Sequence, residues 1–119
     1  MSEPPYSPVL VAGDLVFVSG QLPIDPESKA VVPGGIGAQT SQVLDNLQAQ
    51  LESVDSGLAD VVRVTVYLRT REDWSAMNEV YAQRFSRPYP TRTAVVVHEM
   101  GWDSLVEMDA IASRAGRSS

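Results

Sequence analysis

Apolar positions in this chain fall first into short runs and later into periodic stripes. Val9 to Ala12 and Leu15 to Val18 are apolar tetrads around Gly13-Asp14. Two such runs around a pair that tolerates positive φ predict a β-hairpin. Met1 to Pro8 carries three prolines and predicts an irregular lead-in. Residues 21–35 hold Pro23, Pro26, Pro33, Gly34 and Gly35, which predicts a loop.

From about Gly37 to Val54 the period changes. Leu44, Leu47, Leu51 and Val54 fall on one face of a helix, with Gln42, Asp45, Gln48 and Glu52 between them. Ser56-Gly57 predicts the stop, because glycine takes a left-handed cap without a Cβ clash. Val61 to Leu68 alternates as a strand, with Val62, Val64, Val66 and Leu68 on one face and Arg63, Thr65, Tyr67 and Arg69 on the other. Thr70 and Asp73 have the spacing of a capping box. Trp74, Met77, Tyr81 and Phe85 form a second helical stripe, read as core, that Pro88 and Pro90 end. Two further strands are expected, at about Arg92–His98 and Leu105–Ser113, around a turn holding Gly101-Trp102-Asp103. The tail Arg114–Ser119 is expected to fray.

The order ββαβαββ predicts an α+β domain spanning residues 1–119, with both helices on one face of a single mixed sheet. The other face is harder to satisfy. Val106, Met108 and Ala110 suit the helix side, so Leu105, Glu107, Asp109 and Ile111 face away. Arg92, Ala94, Val96 and His98 join them if the neighbouring strand is registered that way. That face is too apolar for plain solvent and too polar for an internal core. Burial against further copies of the chain, with closed cyclic symmetry, is the expected solution.

Composition narrows the chemistry. The 119 residues hold no cysteine and one histidine, His98, which excludes disulfides, thiolate nucleophiles and multi-histidine metal sites within one chain. A Ser-His-Asp triad would have to use His98, which reads better as a solvated residue near a strand end. The net charge of −6 opposes non-specific nucleic-acid binding. No run approaches the ~20 apolar residues of a membrane span. The first residues have neither a basic patch nor an apolar stretch, so a soluble cytoplasmic protein is expected. The run Gly34-Gly35-Ile36-Gly37 lacks the Lys-Ser/Thr pair of a phosphate loop.

Several segments, in order, resemble one family. They are Pro5-Tyr6-Ser7-Pro8, Val18-Ser19-Gly20-Gln21-Leu22-Pro23, Gln39-Thr40 with Leu44-Asp45-Asn46-Leu47, Asp60-Val61-Val62 with Val64-Thr65-Val66-Tyr67-Leu68, Met77-Asn78-Glu79-Val80-Tyr81, Pro90-Thr91-Arg92-Thr93, and Val106-Glu107-Met108-Asp109-Ala110-Ile111-Ala112. Together they are similar to the YjgF/RidA family, the reactive intermediate deaminases, also labelled endoribonuclease L-PSP. The resemblance covers about Tyr6 to Ala112. It implies a chorismate-mutase-like homotrimer, with sheets lining a central barrel and ligand clefts between subunits. It further implies cofactor-free, metal-free hydrolysis of enamines and imines such as 2-aminoacrylate to 2-keto acids and ammonia.

Alone, Arg92 reads as a salt-bridge residue or as a carboxylate clamp, for which a planar guanidinium is suited. The resemblance implies the clamp. Glu107 alone is a solvated or paired carboxylate; the resemblance implies that it orients the attacking water. Asp109 reads as structural, pairing with a basic group. Ser19 is no nucleophile elbow, since G-x-S-x-G is absent. The resemblance places Ser19 and Gly20 beside the substrate carboxylate, Tyr6 over the ligand and Asn78 near the cleft. Asn78 itself reads first as a residue making a helix-packing or capping hydrogen bond. Two positions depart from the archetype: Ala94 replaces a cysteine, leaving its backbone carbonyl as the available group, and Met100-Gly101-Trp102-Asp103 replaces a Leu-Pro turn. These departures keep open a non-catalytic 2-keto-acid binding or regulatory protein, or a specialised pathway member. An endoribonuclease is the remote alternative.

Overall fold

A computed structural model describes residues 3–115. Five strands and two helices follow the expected order, here labelled β1 (Val9–Ala12), β2 (Leu15–Gln21), α1 (Gly35–Glu52), β3 (Val61–Leu68), α2 (Trp74–Arg84), β4 (Thr91–Val96) and β5 (Val106–Ser113). The strands form one mixed sheet in the order β1-β2-β5-β3-β4. Only β3 and β4 run parallel; the remaining neighbours are antiparallel.

The hairpin closes as predicted, with Ala12 opposite Leu15 and Gly13 at φ 60. Both helices share one sheet face. Leu44, Leu47 and Leu51 of α1 and Met77 and Tyr81 of α2 join Val16, Val18, Val64, Val66, Leu68, Val106, Met108, Ala110 and Ala112 in one buried cluster. Each fully buried leucine contributes about 1.5–3 kcal/mol of transfer free energy. Arg84 pins the two helices together by pairing with Asp45 at 2.9 Å and donating to Gln48 at 3.1 Å.

The α1 boundaries differ from expectation at both ends. The helix begins at Gly35 and its regular turns end at Glu52. The left-handed residue is Asp55 (φ 62), while Gly57 is extended. Ser56 N–H bonds to Leu51 O and Asp55 N–H to Glu52 O, which satisfies carbonyls that the helix end leaves free. Before α2, Thr70 Oγ1 accepts from Glu72 N–H at the head of a single 3-10 turn, and Asp73 makes no side-chain cap. The tail expectation falls partly on residues 116–119, outside the described range; Arg114 N–H is bonded to Asp14 O at 2.7 Å.

Two corrections concern the sheet. Val61, not Val62, is on the core face, because the β3–β5 register shifts between Val61 and Arg63. That irregularity moves one residue to the other side of the pleat. In addition, β4 neighbours β3 and not β5. Arg92 is paired with Val64, Ala94 with Val66 and Val96 with Leu68. Arg92, Ala94 and Val96 therefore lie on the helix side, opposite the face of Glu107, and His98 is exposed beyond the strand end.

The irregularity predicts unequal stability effects. Val61→Ala should lower the unfolding free energy in urea by about 2 kcal/mol, and Val62→Ala by less than about 1 kcal/mol. Equal effects would contradict the observed register.

Candidate functional site

The expected site residues separate into two groups on opposite sides of the sheet. The first is built on β4 and α2. Asn78 and Tyr81 are three residues apart and share a helix face. Arg92 extends from the outer strand toward that face. Its Nη1 donates to Asn78 Oδ1 at 2.7 Å, and its Cζ lies 4.8 Å from the centroid of the Tyr81 ring. Among the described residues, no carboxylate pairs with Arg92. These side chains, with Ala82 and Tyr89, line a cavity of about 290 Å³. Ala94 shares the face of Arg92 but does not line that cavity. A half-buried guanidinium with free donors at a cavity wall is a ready site for a carboxylate. Burial pushes the Tyr81 phenol up to about 12, against the opposing pull of Arg92.

The second group is built on β2 and β5 and belongs to the uncovered face. Glu107 is opposite Tyr67 and Asp109 is opposite Thr65. Next to them the β2–β5 register shifts between Val18 and Gln21, at Ser19-Gly20. A Cβ placed on Gly20 would overlap the Glu107 carboxylate, so glycine here admits the acid against the backbone. Gly20 and Glu107 line one cavity of about 320 Å³ with Tyr67, Met100 and Asp109. Gly20 also joins Tyr6 and Ser19 around another of about 400 Å³. Tyr6 is 64% exposed at its rim.

The environment of Glu107 makes its proton harder to lose. Burial pushes its pKa above the ordinary glutamate value, and the nearby Asp109 charge adds to the rise. Asp109 was expected to pair with a basic group. Instead its Oδ2 accepts from the Tyr67 hydroxyl at 3.1 Å. Ser19 Oγ donates to Ser7 O at 2.6 Å and Ser19 N–H to Pro8 O at 3.0 Å, which straps the lead-in onto β2. The Ser19 donors are thus engaged in holding Tyr6 near Gly20.

Sequence reasoning found Arg92, Asn78, Glu107 and Gly20 but assigned Tyr81 only to the core and passed over Tyr89. The signal for Tyr81 is its three-residue spacing from Asn78. Tyr89 carries none, since it lies in an irregular segment. Among the described residues, no three His, Asp or Glu side chains gather as a metal site. No described helix is long and apolar enough to cross a membrane.

Comparisons with known proteins agree on one family. The family model described as Endoribonuclease L-PSP matches residues 1–114. A RutC family protein of Pyrococcus abyssi is 47% identical over 108 residues, covering 91% of this chain and 85% of that protein. A 2-iminobutanoate/2-iminopropanoate deaminase of Capra hircus is 37% identical over 108 residues, covering 91% and 79%. The crystal structure of RidA from the Antarctic bacterium Psychrobacter sp. PAMC 21119 superposes with a TM-score of 0.89 at 35% identity, covering 95% of this chain and 91% of that one. With the family model matching nearly the whole chain and the fold superposing closely on a family structure, the chain belongs to the endoribonuclease L-PSP family, also known as YjgF/RidA.

Proposed function

We propose that this protein is a cofactor-free deaminase that hydrolyses 2-imino acids, and the 2-amino-acrylates from which they form, to 2-keto acids and ammonia. The carrying observation is the Arg92 guanidinium, held by Asn78 and, among the described residues, free of any carboxylate, at the wall of a small cavity. The deaminase named among the relatives supports the same chemistry.

In this reading Arg92 takes the substrate carboxylate with two parallel N–H bonds and fixes the C=N carbon. Water adds to that carbon while the Glu107 carboxylate accepts its proton. Glu107 passes that proton to the imine nitrogen to give the carbinolamine, which collapses as its hydroxyl proton is moved through Glu107 to the amine, so that imine and water become ketone and ammonia. A carboxylate with a raised pKa suits both steps. Glu99, Glu107 and Asp109 together at the Glu107 cavity oppose the phosphate contacts that RNA cleavage would need.

Arg92 and Glu107 are on opposite sheet faces and cannot meet within one chain. The proposed working unit is therefore a homotrimer, each cleft joining the Arg92 side of one copy to the Tyr6, Ser19, Gly20 and Glu107 side of the next. Exposed Leu10, Leu15, Phe17 and Val95 support burial of the uncovered face against other copies. A soluble cytoplasmic enzyme fits this reading.

Three outcomes test it, with 2-iminobutanoate generated in situ and its decay followed. Arg92→Ala should lower kcat/KM at least about 100-fold. Glu107 must be ionised to accept the proton, so activity should rise with pH through its pKa. The acid limb should lie above the ordinary glutamate range, and Glu107→Gln should lower kcat more than it raises KM. Inactive Arg92→Ala and Glu107→Gln copies, mixed in equal amounts and reassembled, should recover about a quarter of natural activity, because every mixed trimer has one intact cleft of its three. No recovery would overturn the shared cleft, and no turnover by the natural protein would overturn the deaminase.

A further inference from the structure

The cavity beside Arg92 holds a feature that carboxylate binding alone does not explain. Tyr81 is 5% exposed, and its hydroxyl is buried with no hydrogen-bond partner. A buried phenol ordinarily has a partner, because leaving the hydroxyl unpaired is unfavourable. The useful part of this side chain is therefore its ring. Its face lies 4.8 Å from Arg92 Cζ, and it packs against Phe85 with centroids 4.6 Å apart. Phe85 is itself buried, so the ring has little freedom to move.

We propose that Tyr81 is a positioning residue whose ring presents the Arg92 guanidinium in the plane that a carboxylate needs. Two restraints act on one planar group. The Asn78 bond at 2.7 Å holds one Nη of the group, and the ring supports its centre, with Cζ over the ring at 4.8 Å from the centroid. An arginine has five N–H donors, and the Asn78 bond engages one of them. The others remain for a ligand at the cavity wall, already aligned. Without the ring, the long side chain would have to be ordered at each binding event, which weakens binding. The attraction between cation and ring face is also stronger where water is excluded, as it is around a buried ring.

This inference rests on the reading of Arg92 as the carboxylate clamp, and the test separates the two. Calorimetry with 2-oxobutanoate, a 2-keto acid without the reacting nitrogen, reads the clamp independently of turnover. Tyr81→Leu should weaken 2-oxobutanoate binding about tenfold. In the turnover assay it should raise KM by a similar factor and leave kcat within about threefold. Tyr81→Phe keeps the ring and removes only the unpaired hydroxyl, and should bind within about twofold of the natural protein. A role in core packing alone would not give a change confined to KM.

Binding unchanged in Tyr81→Leu would overturn the positioning role while leaving the clamp intact. Loss of binding in Tyr81→Phe equal to that in Tyr81→Leu would also overturn it, since the hydroxyl and not the ring would then matter. No binding of 2-oxobutanoate to the natural protein at millimolar concentration would overturn the clamp and this inference together. Should Tyr81→Leu not fold, nitrogen-resolved NMR of the natural protein decides. A stacked Arg92 gives ring-shifted side-chain N–H signals in slow rotation, and freely averaged signals would overturn the proposal.

Discussion

Strand β5 is threaded between β2 and β3, and its strict alternation governs what each face of the molecule can be. Val106, Met108, Ala110 and Ala112 must all point to the helices, because they meet Leu68, Val66 and Val64 on one side and Val18 and Val16 on the other. A slip of one residue would drive Glu107 and Asp109 into that core and bring Met108 and Ala110 out. Burying two unpaired carboxylates among aliphatics is prohibitive. The apolar half of β5 thus holds its acidic half on the uncovered face.

The other strands inherit this placement. The parallel register of β4 against β3 assigns Arg92 to the helix side, where α2 meets it with Asn78 and Tyr81. The irregularity in β2 places Gly20 against Glu107 on the other side. The two halves of the candidate site are therefore separated by the thickness of the sheet. Among the described residues, one half holds a guanidinium without an acid, the other an acid whose pKa is raised by burial and a second acid. Each lacks the charge that the other supplies.

Much of this was legible in the sequence because it follows from periodicity. The stripe Leu44, Leu47, Leu51 and the alternation Val64, Val66, Leu68 declare their elements, and both helices on one face follow from counting apolar surfaces. What was not legible depends on contacts between distant segments. Alternation groups Val62 with Val64, Val66 and Leu68, and nothing local marks the irregularity beside it. Arg92 shares the face of Glu107 only under one register of its strand, and neither the neighbour nor the register of a strand is encoded in the strand. Gly57 looked like the helix stop on residue type, yet Asp55 adopts the left-handed conformation; a short polar side chain tolerates it at small cost. Arg92, Asn78, Gly20 and Glu107 were found through family segments, whereas the contact of the Tyr81 ring with Arg92 is visible only where α2 meets β4.

The poverty of the chain in catalytic groups takes on a different meaning in this geometry. With no cysteine and one exposed histidine, a single copy offers arginine on one face and carboxylates on the other. A face-to-face split is wasteful if the molecule works alone, since the sheet blocks any joint action. It is economical if copies pack in a ring, where each interface sets the arginine side of one copy against the acid side of the next. The imine hydrolysis proposed above would ask for little beyond that meeting: such a substrate is already reactive, and catalysis would come from holding its carboxylate still and moving a proton. The same logic explains why the guanidinium is steadied by an amide and an aromatic face and not by a carboxylate. In the proposed reading an acid partner would neutralise the charge that a substrate carboxylate meets, whereas the contacts with Asn78 and Tyr81 leave it available.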